Sequence, residues 1–385
     1  MAVAVITTPQ LRAGTGQWVS SPGWDAFWMF SAFWTSALPW SGTASLGSAR
    51  TGLILFSVGS VLSVIHSWST TYAVIASRLL REARRRNRTK FVAMPIAIAA
   101  GSIALGYAVG ATDSLPRKFP LTGAQALWAV YLGLFWVGHF WHFGNQDFGV
   151  LSIYRAKAGQ TTPRERKIDK TYAVAMMFVI QPCVYFKAVA RSPLSNAFFS
   201  FVPISRGLVS VAAAWAAVSA VVFTLAVIAY ELRKANPSLP KLFYYLVMLA
   251  HPLVLYFIYW RLAFYYFAVY LVSHWLIAIG LVGRIHTNDR RAAGATPASA
   301  LLYYAVRLAP FVIAAFLFDH AFGRYNAFSG GGYKVTLGTV WPDWRGVLGL
   351  ILGVFLAEQL LHYYCDRCLF RFRDADVRRA IAPLL

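Results

Sequence analysis

Residues 123–155 read GAQALWAVYLGLFWVGHFWHFGNQDFGVLSIYR. From Gly123 to Gly144 the stretch is apolar and aromatic and about as long as the roughly 20 residues that cross a bilayer. Its last part differs. His139, His142, Asn145, Gln146 and Asp147 crowd together before Arg155, where a basic loop begins. Apolar membrane sequence has no reason to carry so much polar chemistry at one helix end.

The same alternation recurs along the chain. Of its 385 residues, 58% are hydrophobic and only 13% charged, too few charges to cover a soluble domain of this size. Thr51–Tyr72, Phe91–Ala111, Tyr172–Ala190, Gly207–Tyr230, Leu242–Trp260, Leu262–Val282, Ala300–Phe322 and Gly346–Tyr364 are further apolar runs. They are continuous, unlike the alternating strands of a barrel. The expected fold is an all-α polytopic bundle of nine spans, with a tenth if the shorter Trp24–Trp40 segment crosses rather than lies at the interface. Residues 1–50 form the N-terminal tail and this segment, 51–366 the bundle, and 367–385 a basic tail. A tight turn is expected near Arg261, and an external loop over Gly323–Trp344.

The formal charge of +22 does not indicate nucleic acid, because the basic residues sit in short loops. The segments 78–90, 155–170, 233–241 and 284–291 and the tail from Arg367 alternate with poorer ones. The positive-inside rule then puts all five, and the C-terminus, in the cytoplasm, with the chain in the cytoplasmic (inner) membrane. These segments also suit anionic lipid headgroups. No signal peptide is evident, and three cysteines (Cys183, Cys365, Cys368) make no disulfide framework.

On this topology four spans bring histidines toward one leaflet. They are His66, the His139/His142 pair, His274 (about 15 Å along its helix from Arg284 at roughly 1.5 Å per residue) and His362. Asp147, Glu358 and Asp366 fall in the same zone. Neutral imidazole is a common metal ligand, and ionisable groups inside a membrane are expensive and usually functional. His139 and His142, three apart, share a helix face. Each histidine alone could equally make a helix–helix hydrogen bond; their common depth favours one shared metal site. Cys365-x-x-Cys368 offers only two thiols and reads as a helix end. Asp319-His320 reads as an outer polar pair, and His251 lies near mid-membrane.

His142-Phe143-Gly144-Asn145-Gln146-Asp147-Phe148 resembles the H-F-G-x-x-D-F motif of the Brp/Blh-type bacterial and archaeal β-carotene-cleaving dioxygenases, integral membrane proteins with a histidine-bound non-haem iron. His66 is similar to the histidine of that family's early H-G-x-x-D helix, although Ser67 and Thr70 stand where the motif has Gly and Asp. His274 resembles the first histidine of its H-x-x-x-H helix, with Ala278 in place of the second. His362, Asp366 and Phe370-Arg371 resemble its near-terminal H…D…F-R segment. The resemblance implies Fe(II) held first by His66, His142 and His274, with His139 as the substitute fourth for the missing histidine and His362 a further candidate ligand. It further implies that Asp147 and Asp366 orient ligand imidazoles and that the substrate is lipid-soluble, carotenoid-like or otherwise long and apolar. Two other function classes fit the same residues. One is a carrier using the buried His and Asp groups as a relay, with breaks at Pro182, Pro252 and Pro310; the other is a structural subunit contacting membrane-protein partners.

Overall fold

The computed structural model describes residues 16–38, 48–110, 123–160, 162–190, 205–257, 270–322, 344–370 and 374–385, with some side chains in these ranges left out. The expected turn near Arg261, the loop before Trp344 and the side chains of Asp319 and His320 lie outside the described residues. Among those described, the secondary structure is helical throughout, without strands.

In chain order the α-helices are α1 (Pro22–Trp28), α2 (Ser31–Thr35), α3 (Ser48–Ile75), α4 (Arg81–Arg86), α5 (Met94–Gly110), α6 (Gly123–Lys157), α7 (Pro163–Val174), α8 (Gln181–Ala190), α9 (Arg206–Leu232), α10 (Leu239–Phe257), α11 (Val272–Ala292), α12 (Pro297–Phe322), α13 (Trp344–Leu369) and α14 (Ala375–Ile381). A π-helical stretch, Ala175–Ile180, joins α7 to α8, and another, Thr89–Ala93, leads into α5. The α7 N-terminus is closed by a capping box in which the Thr162 side chain accepts from the Glu165 N–H while the Glu165 carboxylate accepts from the Thr162 N–H.

Among the described residues, four helical stretches are long and apolar enough to cross a membrane: Thr89–Val109, Arg206–Leu232, Leu239–Phe257 and Pro297–Ala314. The helices α3 and α6, at 28 and 35 residues, have the length but carry the His, Ser, Thr, Gln and Asp side chains that lower their hydropathy. On α9, Leu208, Val211, Trp215, Val218, Val222 and Leu225 recur every three or four residues and are exposed. The opposite stripe, including Ala213, Ala217, Ala220 and Thr224, is buried. A helix apolar on its outward face is dressed for lipid.

Glycines set the closest packing. On α13, Gly349 and Gly353 are four apart, the small-xxx-small spacing that lets helix backbones meet. A Cβ on Gly353 would lie 2.6 Å from the Cα of Ile103, and one on Gly349 would lie 2.8 Å from the Cα of Tyr107. Gly106 faces the backbone of Gly353 just as closely. From the α6 side, the Tyr131 hydroxyl donates to the Leu352 carbonyl at 3.0 Å. These contacts fix α13 against α5 and α6 nine residues before His362.

The five basic segments gather at one end. Arg78 pairs with Asp289 at 2.9 Å, Lys90 with Asp374 at 2.6 Å, and Asn288 donates to the Leu384 carbonyl at 2.7 Å. Arg155 and Lys241 both reach Asp169 at 2.9 Å. The N-terminal segment ties these groups together, since Arg284 donates to Ser20 at 2.6 Å and Tyr154 to Asp25 at 2.9 Å. Asp25 also accepts from the backbone N–H groups of Val19 and Ser20. That anchoring matches the interfacial one of the two expectations for Trp24–Trp40. The described part of Trp24–Trp40 forms two helices of 7 and 5 residues, too short to cross a bilayer, packed on this end.

Candidate metal centre

Four helices converge on one buried point. His66 of α3, His142 of α6, His274 of α11 and His362 of α13 each bring a ring nitrogen to within 4.8 Å of the other three. All four rings are buried, none more than 5% exposed. The Nε2 atoms of His142 and His274 are 3.2 Å apart. The His66 ring lies edge-on to His362 and His274, with centroids at 4.2 and 4.9 Å, and neither of its nitrogens has a hydrogen-bond partner.

This donor set fits a metal ion. With bonds of about 2.1 Å, the nitrogens of a tetrahedral imidazole site are about 3.4 Å apart; the observed spacings bracket that value closely enough for rotamer adjustments to close the site. Buried imidazoles with unpaired nitrogens are costly unless something binds them. Imidazole suits iron, zinc, copper and nickel alike, so the group could hold a metal ion without naming which.

The residues around the four rings constrain their orientation. The Nδ1 of His362 lies 3.0 Å from the Thr70 hydroxyl, four residues beyond His66 on the same helix face. When Nδ1–H donates to that oxygen, the ring presents the lone pair of Nε2. Asp366, one turn beyond His362, has Oδ1 3.6 Å from the His362 Nδ1 and Oδ2 3.5 Å from the His142 Nε2. Both its oxygens are buried without a hydrogen bond. Such a carboxylate, set beside neutral ligands, is placed to balance the charge of a cation. Tyr363 stacks on the His142 ring at 4.6 Å, and Phe143 covers His274 at 3.7 Å.

Two of the residues singled out in the sequence stand apart from the four. His139 is three residues before His142, about 4.5 Å along the axis and 60° around it. Its Nδ1 faces the Tyr363 hydroxyl at 3.2 Å, and its ring packs on Phe143 at 4.0 Å. Asp147 is five residues from His142, which turns it about 140° away, toward α10. There its Oδ1 accepts from Tyr244 at 2.5 Å instead of meeting a ligand imidazole. The polar residue in register is Gln146, at i+4 from His142, whose amide donates to the His274 carbonyl at 3.2 Å. Thr70 and Gln146 were named in the sequence but given no role, and Tyr363 was not singled out; the i+4 spacings of the first two are the signal that marks them. Cys365 and Cys368 are buried, form no disulfide and stand outside the group of four.

A second polar cluster, also unread in the sequence, lies at the basic end. Lys241, 1% exposed, bridges Asp169 and Glu231 at 2.9 and 3.1 Å. Tyr245 donates to Asp169 at 2.6 Å, and Gln160 to Glu231 at 2.5 Å. Lys234 closes the edge, 2.7 Å from Glu231 and 3.3 Å from Glu165. Every charge here has an opposite partner, which is the pattern of a structural clasp between α7, α9 and α10.

No family model, curated protein or solved structure matches the chain.

Proposed function

We propose that this protein is a polytopic membrane metalloenzyme, an oxygenase that acts on a long apolar, carotenoid-like substrate at iron(II) held by His66, His142, His274 and His362. In this reading the chain crosses the cytoplasmic membrane nine times, with the basic end and the C-terminus in the cytoplasm. The observation that carries it is the meeting of four buried imidazole nitrogens, drawn from four helices, within 4.8 Å of one another.

Iron with open positions supplies oxygen activation when bound. The protein's own residues do the rest. Thr70 fixes the His362 ring, Asp366 supplies compensating charge, and Phe143 and Tyr363 wall the centre with aromatic surface that excludes water. The apolar outward faces offer a lipid-soluble molecule an approach from the bilayer. The carrier reading draws on helix breaks at proline, but α10 and α12 run through Pro252 and Pro310 without interruption.

Metal analysis of the detergent-purified protein tests the proposal. Near-stoichiometric iron, lost in His142→Ala and His362→Ala, is the expected result. Substoichiometric iron that His142→Ala leaves unchanged would overturn it.

A further inference from the structure

The continuous helix from Pro163 to Ala190 runs parallel to α10. Asp169 meets Lys241, the Tyr172 hydroxyl donates to the Tyr245 carbonyl at 3.1 Å, and the Lys187 ammonium lies 3.3 Å from the centre of the Tyr256 ring. Counted along the two helices from these contacts, Gln181 falls near the height of His251. Both are followed by proline, Pro182 and Pro252, which removes a backbone donor from each helix near that height. The π-helical stretch Ala175–Ile180 ends immediately before Gln181, and such departures from α geometry gather at functional sites.

Neither polar residue is satisfied. Gln181 is fully buried, and neither its amide nitrogen nor its oxygen has a hydrogen-bond partner. His251 is 5% exposed, and both ring nitrogens are unpartnered. Buried polar groups are seldom left so, because each forfeits the hydrogen bonds it made to water. The surroundings lead toward the metal centre. Tyr270 lies edge-on to His251 with centroids 4.9 Å apart, and its hydroxyl points to the Met177 sulfur, one turn before Gln181. Tyr270 also meets Phe143 at 4.9 Å, and Phe143 lies against His274. Two aromatic rings thus separate the unsatisfied pair from the four histidines.

We propose that Gln181 and His251 form a subsite for the hydroxyl group of a long apolar alcohol, whose chain passes Tyr270 and Phe143 toward the four histidines. The proposal rests on the reading of this protein as an enzyme of lipid-soluble substrates and narrows the substrate class. Glutamine and neutral imidazole each offer one kind of donor and one of acceptor. A hydroxyl satisfies both kinds, donating to one side chain and accepting from the other. A carbonyl would leave the acceptors unpaired. A carboxylate would bring a charge, and the nearest cation on the same helix, Lys187, is six residues or about 9 Å along it and already lies over the Tyr256 ring.

The test uses the full chain in lipid nanodiscs and three probes: geranylgeraniol, its methyl ether and the parent hydrocarbon. Equilibrium binding is measured for the wild type, Gln181→Met, His251→Phe and the double variant, with thermal midpoint and iron content as controls. The wild type is expected to bind the alcohol at least about tenfold more tightly than the ether or hydrocarbon. Each single variant narrows that preference, and the double variant binds all three probes alike at unchanged iron content. Equal binding of the three by the wild type, or an undiminished preference in a folded double variant, overturns the proposal and leaves the pair as the seat of a buried water only. If the double variant does not fold, the two single variants carry the same comparison. An alcohol preference in protein that lacks iron would sustain the subsite while removing the oxygenase reading, so the two failures are distinct.

Discussion

The Nε2 atoms of His142 and His274 face each other across 3.2 Å inside the helix bundle. Two neutral imidazoles at that distance need either a proton between them or a cation in front of both, because two lone pairs pointed at one another repel. The unpartnered nitrogens of His66 and the nearness of His362 favour the cation. A ligand that binds only the folded state raises stability by mass action. A strong chelator should therefore lower the thermal midpoint of the wild type by several degrees and leave His274→Ala unmoved. Differential scanning fluorimetry with and without chelator checks this; equal shifts in both proteins would place the metal elsewhere.

Asp366 and Thr70 act on the same centre from outside the ring of nitrogens. Asp366→Asn keeps the shape but removes the charge 3.5 Å from the His142 Nε2. Thr70→Val removes the hydroxyl on the His362 Nδ1. Partners of this kind typically contribute 10–100-fold to metal affinity. Competition titrations with a metal-binding dye should show a loss of roughly that size in Asp366→Asn and a smaller one in Thr70→Val. The helical circular dichroism of both should match the wild type.

The helical class and the converging histidines were legible in the sequence for one reason. Apolar runs divided by basic loops leave few arrangements, and topology assigns each polar side chain a depth. Depth is not azimuth. His139 and His142 share a level within one turn, and only the packed structure shows that one faces Tyr363 and the other His274. Asp147 looked apt as a carboxylate beside a histidine, yet five residues of helix turn it to Tyr244 while Gln146 takes the place in register. The clasp around Lys241 was hidden because basic residues in short loops already had an explanation as topology signals. Its acidic partners, Asp169 and Glu231, come from separate helices. The glycines of α13 were hidden for a related reason: the G-x-x-x-G spacing is visible at Gly349 and Gly353, but its partner surface on α5 is not.

Those glycines yield a third prediction. A Cβ at Gly353 would lie 2.6 Å from the Ile103 backbone, which no side-chain rotation relieves. Gly353→Ala should therefore destabilise the fold by about 1–3 kcal/mol, as overpacking does, and loosen the register that delivers His362. Gly133→Ala is the matched control, since a Cβ there meets nothing within 4 Å and helix propensity alone makes it neutral or stabilising by up to about 1 kcal/mol. Thermal unfolding and metal content together decide. Loss of both in Gly353→Ala and of neither in Gly133→Ala is expected; retained metal in a destabilised Gly353→Ala protein would separate packing from the site.

The C-terminal segment gives a pH-dependent prediction outside the helices of membrane-spanning length. Partial burial alone would raise the Asp374 carboxyl, but the Lys90 ammonium at 2.6 Å and the backbone N–H groups of Val377 and Asp376 outweigh it and hold the group below its ordinary value. A carboxyl whose folded pKa is depressed contributes stability that is present above its unfolded value, near 3.8, and lost as pH falls through the folded one. Docking of α14 should accordingly hold from neutral pH down to about 4 and weaken below it. Lys90→Met should weaken docking at neutral pH by removing the cation, and Asp374→Asn should abolish the acid dependence. Hydrogen exchange of residues 375–381 across a pH series, corrected for intrinsic exchange rates, is the measurement. A segment whose protection is independent of pH in the wild type would show that the apolar contacts of Val377 and Ile381, both fully buried, hold it without help from the ion pair.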